Sequence, residues 1–222
     1  MISLILAESS IELVPNEIQN HPSVKSHAKK MSKKTSDIFL DNSWHFAAMK
    51  GMKHELKRGR PDLVHFAALE ATTIPLFFEN KLNFYIHTIN DQIIYFENNV
   101  RIPKSYHRFE GLFAKLFSEK SVSFGSKKLL EIKEKSFSEL IDEINPSKLI
   151  GLSSSGKLSS CENIAKILDN NSCIVVGGFQ KGDFSNSIKN QFDEFYSIDK
   201  TSLESHVVIS RMLYEYEKTV FM

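Results

Sequence analysis

Ser172-Cys173-Ile174-Val175-Val176-Gly177 is an apolar run of strand length, and a second glycine, Gly178, follows it directly. Shorter apolar runs at residues 148–152 and 194–198 predict two further strands. Helical patterns at 161–168 and at about 203–219 lie between and after them. Strands that alternate with helices predict a mostly parallel sheet covered by helices, so the predicted fold class is α/β.

The rest of the chain extends this pattern toward the N-terminus. Residues 1–8 predict a buried first strand, and residues 82–89 and 92–97 flank Asn90-Asp91 as the strands of a hairpin. Seven more elements are predicted, in chain order: a basic helix at 21–31, a short strand at Phe39-Leu40, helices from 43, at 61–73 and at 106–118, a strand at 126–132 and a helix at 136–144. Without an internal repeat or low-complexity linker, the chain is predicted to be one domain, 1–222.

The composition excludes several classes of protein. The 222 residues carry 28 Lys and Arg against 27 Asp and Glu, a net charge of +1, so nucleic acid would have to be held by local patches of charge. The two cysteines form no Cys-x-x-Cys pair and the eight histidines show no ligand spacing, so neither a metal site nor a disulfide framework is expected. A reducing cytoplasm is the predicted location. The apolar start is too short for a membrane span.

Three loops are predicted at the carboxyl ends of strands, where open α/β sheets place ligands. They are the glycine-rich loop at 177–184, the loop at 196–205 and the loop at 152–156. Paired glycines permit positive φ and a close approach of backbone to a planar ligand, although a Gly-Gly pair is also common in simple turns. The loop matches neither the P-loop nor the Gly-x-Gly-x-x-Gly pattern. We expect the three loops to converge on one pocket.

Two groups of cations lie at predicted helix starts. One comprises Lys57, Arg58 and Arg60 ahead of Pro61, and the other surrounds Ser105, a candidate helix cap, and comprises Arg101, Lys104 and Arg108. A helix dipole disfavours positive charge at its N-terminus, so such groups suggest a compensating anion. The spacing of the second group suits a run of phosphates and indicates a protein that holds RNA.

Five motifs follow one another along the chain. They are Arg60-Pro61-Asp62-x-x-His65, Tyr85-Ile86-His87-Thr88, Val100-Arg101-Ile102-Pro103 through Arg108-Phe109-x-Gly111-Leu112, Val175-Val176-Gly177-Gly178-Phe179-x-x-Gly182 and Ser197-Ile198-x-x-x-x-Leu203. Together they resemble the Nep/Emg family of SPOUT-class methyltransferases, which act in ribosome biogenesis on N1 of a pseudouridine in small-subunit rRNA. The match covers nearly the whole chain.

The resemblance implies a SPOUT-type parallel sheet whose C-terminal part, around 148–222, is threaded into a trefoil knot that binds S-adenosyl-L-methionine (SAM). It also implies a small α/β insertion around 43–100. The implied assembly is a homodimer that binds a pseudouridine-containing hairpin of small-subunit rRNA across both subunits, without a membrane or a metal.

The resemblance also carries roles onto individual residues. The cofactor contacts fall on Leu152, Gly177, Gly178, Gly182, Ile198 and Leu203, mostly through backbone groups. The RNA contacts fall on Arg58, Arg60, Arg101, Lys104 and Arg108. The chain departs from the family where Lys104 replaces a frequent arginine, which keeps the charge but loses the bidentate fork, and where Ser202 replaces a frequent proline.

Asp62 is the candidate catalytic residue, either as a general base or as an orienting group. An aspartate has a reference pKa of about 3.9, and a helix N-terminus lowers it further. We therefore favour an orienting role, in which Asp62 accepts hydrogen bonds from Arg60, Arg58 or nearby backbone. Two alternative functions remain: a SPOUT enzyme for another rRNA or tRNA position, and a non-catalytic RNA-binding assembly factor.

Overall fold

Eight strands form one mixed sheet in the computed structural model, which describes residues 1–222. The strands are β1 (Ile2–Ser9), β2 (Leu82–Thr88), β3 (Gln92–Phe96), β4 (Ser121–Phe124), β5 (Lys127–Glu134), β6 (Lys148–Leu158), β7 (Ser172–Gly177) and β8 (Glu194–Ser197). Their order across the sheet is β4-β5-β3-β2-β1-β7-β6-β8. The strands from β2 to β8 in this order are parallel, and β3, β5 and β4 extend the sheet in antiparallel fashion.

Nine α-helices connect and cover the strands. They are α1 (Pro22–Lys30), α2 (Asn42–Met49), α3 (Pro61–Thr72), α4 (Pro75–Phe78), α5 (Tyr106–Glu119), α6 (Phe137–Ile144), α7 (Cys161–Ile167), α8 (Asn186–Lys189) and α9 (Ser205–Phe221). Alternate residues of β1 enter two different cores, because successive side chains of a strand point to opposite faces. Leu4 and Leu6 pack in the core under α3, α5, α7 and α9, whereas Ile5 and Ala7 pack in the core under α6 and α8.

The predicted α/β class and the parallel C-terminal strands are confirmed, as are the first strand, the β2–β3 hairpin and the main helices. The strand expected at Phe39-Leu40 is wrong, since Phe39 forms only an isolated bridge with Leu13. α4, β4 and α8 were not predicted. Residues 43–100 supply β2, β3 and α3 to the common sheet and core; their description as an insertion stays a prediction, as does the trefoil knot.

The loop expected at residues 152–156 is also wrong, because β6 continues to Leu158. Its second half pairs with β8 again after a register shift between Leu152 and Lys157. Gly156 lies against the backbone of Tyr196, where a Cβ atom would come within 2.3 Å of the carbonyl carbon. The serines of this segment therefore belong to a kinked strand that still borders the carboxyl end of the parallel sheet.

Candidate functional site

A cleft lies at the carboxyl ends of β6, β7 and β8 and holds about 780 Å³ of space, including the part open to solvent. The glycine-rich segment after β7, the segment after β8 and the start of α9 form its walls. Its lining residues are Leu152, Ser153, Ser154, Val176, Gly177, Phe179, Gln180, Gly182, Phe184, Ser197, Ile198, Asp199, Thr201, Ser202, Leu203, Glu204, Ser205 and Val208. The three segments expected to converge do so.

Five of the six residues assigned to the cofactor line this cleft, namely Leu152, Gly177, Gly182, Ile198 and Leu203. Gly178 does not. Its N–H donates to the carbonyl of Ala7 at 2.8 Å, and its own carbonyl accepts from the N–H of Ser10 at 2.8 Å. Gly178 therefore joins the end of β7 to the segment that follows β1, one position away from the cleft.

Gly182 and Gly178 are each required to be glycine, but for different structural reasons. Gly182 has φ of +102°, a conformation that L-residues rarely adopt. Gly178 is absent from the positive-φ residues, and a Cβ atom there would lie 2.3 Å from Oγ and 2.7 Å from Cα of Ser9. Neither glycine of the pair has a positive φ, and close approach of two backbone segments is what requires glycine at 178.

The cleft combines apolar walls with oxygen atoms, a combination that suits an adenosine group. Leu152, Val176, Ile198 and Val208 supply apolar surface, and Glu204 supplies a carboxylate at the rim. The Ser205 hydroxyl donates to the carbonyl of Gly177 at 2.5 Å and so joins α9 to the end of β7. The helix begins at Ser205 with Glu204 as its N-cap residue. These residues fit SAM, with backbone at Gly177 and Gly182 open to it.

Carboxylates hold the first group of cations. Both guanidinium nitrogens Nε and Nη2 of Arg58 donate to the carboxylate of Glu12 at 2.6 Å, and Lys57 Nζ lies 2.6 Å from Glu8 Oε2. The side chains of Arg58 and Glu12 are only 11% and 3% exposed. A phosphate that recruited Arg58 would leave Glu12 as an unpaired buried charge, which is strongly unfavourable. The structure therefore places Arg58 in an internal ion pair.

Arg60 and Asp62 form a bidentate pair at the start of α3. Nε and Nη2 of Arg60 donate to the two oxygens of Asp62 at 2.8 and 2.9 Å. Burial acts to raise the pKa of Asp62, but the hydrogen bonds and the charge of Arg60 outweigh it and hold this pKa below its ordinary value. The hydrogen bonds to Asp62 raise the pKa of Arg60, and the charges of Asp62 and Glu204 add to the increase. The N–H of Arg60 donates to the hydroxyl of Ser10 at 2.8 Å, and the N–H of Ser10 donates to the carbonyl of Gly178, which links Arg60 to the glycine-rich segment of the cleft.

The second group of cations is free. Arg101, Lys104 and Arg108 are exposed and have no ion-pair partner among the residues of this chain. Ser105 occupies the N-cap position of α5 as expected, but its side chain makes no capping hydrogen bond. The first turn of α5 contains no acidic residue. This surface is therefore open to an external anion.

His65 joins the two halves of the site. Its ring nitrogen Nε2 lies 2.7 Å from the carbonyl oxygen of Pro103, so Nε2 carries the hydrogen and donates to it. The centre of the His65 ring lies 4.4 Å from the ring centre of Phe109 and 5.8 Å from that of Tyr106. α3, which begins with Pro61-Asp62, is thereby fixed to the segment that bears Arg101 and Lys104.

Sequence reasoning missed the carboxylates that organise the site, Glu8 and Glu12. Both are buried, and Glu8 has φ of +49° at the carboxyl end of β1. Their oxygens accept from Lys57 and Arg58, and Glu8 also accepts from the N–H of Ser185 at 3.2 Å. A signal was present, because β1 ends beside β7 in a parallel sheet and a carboxylate at that point lies at the ligand-binding edge.

Comparison with known proteins decides the family. A family model described as EMG1/NEP1 methyltransferase matches residues 4–217. The chain belongs to the EMG1/NEP1 methyltransferase family. A relative from Thermococcus sibiricus, named ribosomal RNA small subunit methyltransferase Nep1, is 38% identical over 98% of each chain. The protein of the same name from Sulfurisphaera tokodaii is 41% identical over 96% of this chain and 94% of its own.

A solved member of the EMG1/NEP1 family has the same fold. The crystal structure of Archaeoglobus fulgidus Nep1 bound to S-adenosylhomocysteine matches with a TM-score of 0.88 and 32% identity, over 99% of each chain. No helix of the present structure combines the length and the apolar character needed to cross a membrane. It also contains no group of three or more His, Cys, Asp or Glu side chains placed to hold a metal ion.

Proposed function

We propose that this protein is a SAM-dependent methyltransferase that modifies N1 of a pseudouridine in small-subunit rRNA during ribosome biogenesis. The observation that carries the proposal is the arrangement of the cleft, the Arg60–Asp62 pair and the unpaired cations Arg101, Lys104 and Arg108 around the start of α5. The names of its relatives and the S-adenosylhomocysteine bound to Archaeoglobus fulgidus Nep1 support the same reaction class.

The residues of the cleft are proposed to hold SAM, which supplies a methyl group on a sulfonium. Leu152, Ile198 and Leu203 would supply the apolar surface for its adenosine group, and the backbone at Gly177 and Gly182 would be available for hydrogen bonds to it. Glu204, at the rim, attracts the positively charged end of the cofactor. The second half of β6 and the glycine-rich segment close the cleft from one side, because Ser153 and Ser155 both donate to Asp183.

The exposed surface around Arg101, Lys104 and Arg108 is proposed to bind phosphates of an rRNA hairpin. Lysine at position 104 suits a phosphate contact, since its ammonium acts as a point charge. Arg60 stands between this surface and the cleft, and its pair with Asp62 leaves the guanidinium side chain 22% exposed. We assign Arg60 to the target nucleotide and Arg58 to the internal support of the segment through Glu12.

Methyl transfer to a nitrogen is a direct displacement, so the protein must align the acceptor nitrogen and allow it to lose its proton. A fixed near-attack geometry is worth up to roughly 7–11 kcal/mol, which makes positioning the main task of the site. With a lowered pKa and two hydrogen bonds to Arg60, Asp62 is a weak proton acceptor. We therefore propose that Asp62 orients Arg60 and that the proton leaves to solvent.

The proposed assembly is a homodimer in the cytoplasm. Apolar side chains on and beside α3 and α9 support it, because Phe66 and Tyr214 are 51% and 55% exposed. The ring of Phe66 lies 5.7 Å from that of His206, which follows the cleft residue Ser205 in α9. A second subunit on this face would bury these rings and border the cleft. Such a dimer would let one RNA hairpin contact both subunits.

Transfer of a labelled methyl group from SAM to a small-subunit hairpin carrying pseudouridine tests the proposal. We expect transfer by the wild-type protein and a large loss in a variant with Arg101→Gln, Lys104→Gln and Arg108→Gln together. Calorimetric titration with SAM and with RNA distinguishes the enzyme from the alternative, a non-catalytic assembly factor. Tight RNA binding without SAM binding would support the assembly factor and refute the proposed enzyme.

A further inference from the structure

The segment that contains helices α1 and α2 carries a high concentration of positive charge. Residues 22–54 contain seven lysines and two aspartates, a net charge of +5 in a chain whose net charge is +1. The lysines are Lys25, Lys29, Lys30, Lys33, Lys34, Lys50 and Lys53. None of the seven forms an ion pair, whereas Lys115, Lys120, Lys127 and Lys128 elsewhere all do. Unpaired like charges repel, so this group favours an external polyanion.

Two aromatic side chains stand among these lysines. Phe46 is 78% exposed and lies against no other ring, which is uncommon for a large apolar side chain on a helix. Trp44 is 44% exposed, is stacked on the ring of His27 at 4.6 Å, and carries Lys30 Nζ 4.3 Å above its ring centre. We call the seven lysines with Trp44 and Phe46 the α1–α2 surface. It presents cations and free aromatic area together.

A small separate core makes the α1–α2 surface rigid. Val24, Ala28, Ala48 and Met49 pack together beneath the two helices. A buried hydrogen bond of 3.0 Å joins the rings of His27 in α1 and His45 in α2. The side chains above this core can therefore bind a partner without first ordering the backbone, which would cost conformational entropy.

The α1–α2 surface is continuous with the proposed active site. The N–H of Asn42, the first residue of α2, donates to the carbonyl of Gly59 at 2.8 Å, directly before Arg60. The Asn42 side chain donates to Oε1 of Gln180, a residue of the cleft, at 3.4 Å. Because α2 begins next to Arg60, an RNA strand that leaves a target nucleotide at Arg60 would meet α2 directly.

We propose that the α1–α2 surface binds a single-stranded segment of rRNA next to the hairpin that carries the target nucleotide. Lysines alone would serve a duplex equally well, but an aromatic side chain can stack only on an unstacked base. Phe46 offers that stacking face and the lysines hold the adjoining phosphates. This inference rests on the proposed function and adds a second RNA contact outside the catalytic site.

The test compares two RNAs by fluorescence anisotropy over a range of salt concentrations. One is a pseudouridine hairpin alone, and the other has single-stranded extensions of about ten nucleotides at both ends. We expect Lys29→Gln, Lys30→Gln and Lys50→Gln together to reduce affinity for the extended RNA at least tenfold. The same variant should lower the salt slope by about 2, because each phosphate that the protein no longer neutralises lowers it by about 0.7. Phe46→Ala is expected to reduce that affinity about fivefold or more.

Matched controls lie on the β4–β5 hairpin and at the residue before it, Lys120, at the edge of the sheet. Phe124 is 80% exposed, so Phe124→Ala removes an equal aromatic side chain, and Lys120→Gln, Lys127→Gln and Lys128→Gln together remove an equal charge. The surface variants should methylate the bare hairpin at the wild-type rate, which keeps this test separate from that of the proposed function. Equal affinities of surface and control variants for the extended RNA would refute the proposal.

Discussion

The ion pair between Asp62 and Arg60 indicates whether Asp62 acts as a general base or as an orienting group. Its carboxylate accepts both hydrogen bonds of Arg60, and its pKa is lowered despite burial. A general base works best when its pKa is near the working pH, whereas an orienting group needs only its geometry. The pair is therefore better suited to hold Arg60 in place than to remove a proton.

The substitution Asp62→Asn separates these roles. The amide oxygen can still accept from Arg60, so we expect methyl transfer to fall by less than about a hundredfold, while loss of a general base costs roughly 10²–10⁴ in rate. Single-turnover transfer from labelled SAM gives the rate. Complete loss of transfer with unchanged affinities for SAM and RNA would show that Asp62 is the base.

His65 is predicted to position the RNA surface through one hydrogen bond. His65→Leu removes the donor to Pro103, and the unpaired carbonyl costs about 1–3 kcal/mol. We expect RNA affinity to fall about tenfold and SAM affinity to stay unchanged, because His65 is not a cleft residue. His65→Gln, which can donate a similar bond, should restore most of the RNA affinity. An equal loss of both affinities would contradict a positioning role.

At the scale of residues, the sequence predicted which side chains gather but not how they pair. Five of six cofactor residues line one cleft because strand ends and helix starts fix their positions. The partners of Arg58 and Lys57 were missed, since Glu12 and Glu8 lie 46 and 49 positions away in sequence. Pairing across that separation depends on the tertiary fold, which local patterns do not contain.

At the scale of secondary-structure elements, Gly178 is predicted to be needed for the junction between the end of β7 and the segment that follows β1. Gly178→Ala would force a Cβ atom into the backbone of Ser9, and overpacking of this kind costs typically 1–3 kcal/mol. We expect a lower midpoint of thermal unfolding with little change in SAM affinity of the folded protein. Gly111→Ala on α5 is the matched control.

Gly111 has no atom within 4 Å of a Cβ position, so alanine there should stabilise the helix by about 0.5–1 kcal/mol. A loss of SAM affinity in Gly178→Ala, without a change in unfolding midpoint, would mean that Gly178 contacts the cofactor after all.

The pairing of α1 with α2 should depend on pH. Burial, followed by the charges of His27 and His21, lowers the pKa of His45 to about 4. The unfolded chain, with an ordinary value near 6.5, then binds more protons than the fold between these values. The free energy of unfolding should therefore be constant above pH 6.5 and fall by up to about 3 kcal/mol from His45 as the pH drops toward 4.

Denaturant unfolding at pH 6.5 and 4.5 measures this dependence. His45→Phe should reduce the difference between the two values, whereas His107→Asn, at a side chain that is 79% exposed, should leave it unchanged. The same difference in both variants would exclude His45 as its source.

Helices and strands with a clear apolar periodicity were predicted well from the sequence, whereas segments without such a periodicity were not. α5 was predicted from Phe109, Leu112, Phe113 and Leu116, of which Leu112 is partly buried and the other three are buried. The second half of β6 was missed because Ser153, Ser154 and Ser155 have low strand propensity. Its pairing with β8 after the register shift comes from the sheet itself, so no local signal announced it.

At the scale of the whole molecule, one parallel edge of the sheet gathers the functional groups. β1, β6, β7 and β8 all end there, and β1 supplies Glu8 as β7 supplies Gly177. Strand-helix alternation in the last third of the sequence was enough to predict this edge. The antiparallel extension by β3, β5 and β4 was only partly predicted, since the β2–β3 hairpin had a clear signal and β4 had none.

We assign the cleft, the free cations around the start of α5 and the Arg60–Asp62 pair to one reaction. The sharpest test is liquid chromatography and mass spectrometry of nucleosides, after a small-subunit hairpin is incubated with SAM and digested. We expect N1-methylpseudouridine from a hairpin that carries pseudouridine and no product from the same hairpin with uridine. A methyl group on the uridine hairpin, or on a ribose hydroxyl of either RNA, would show that the assignment is wrong.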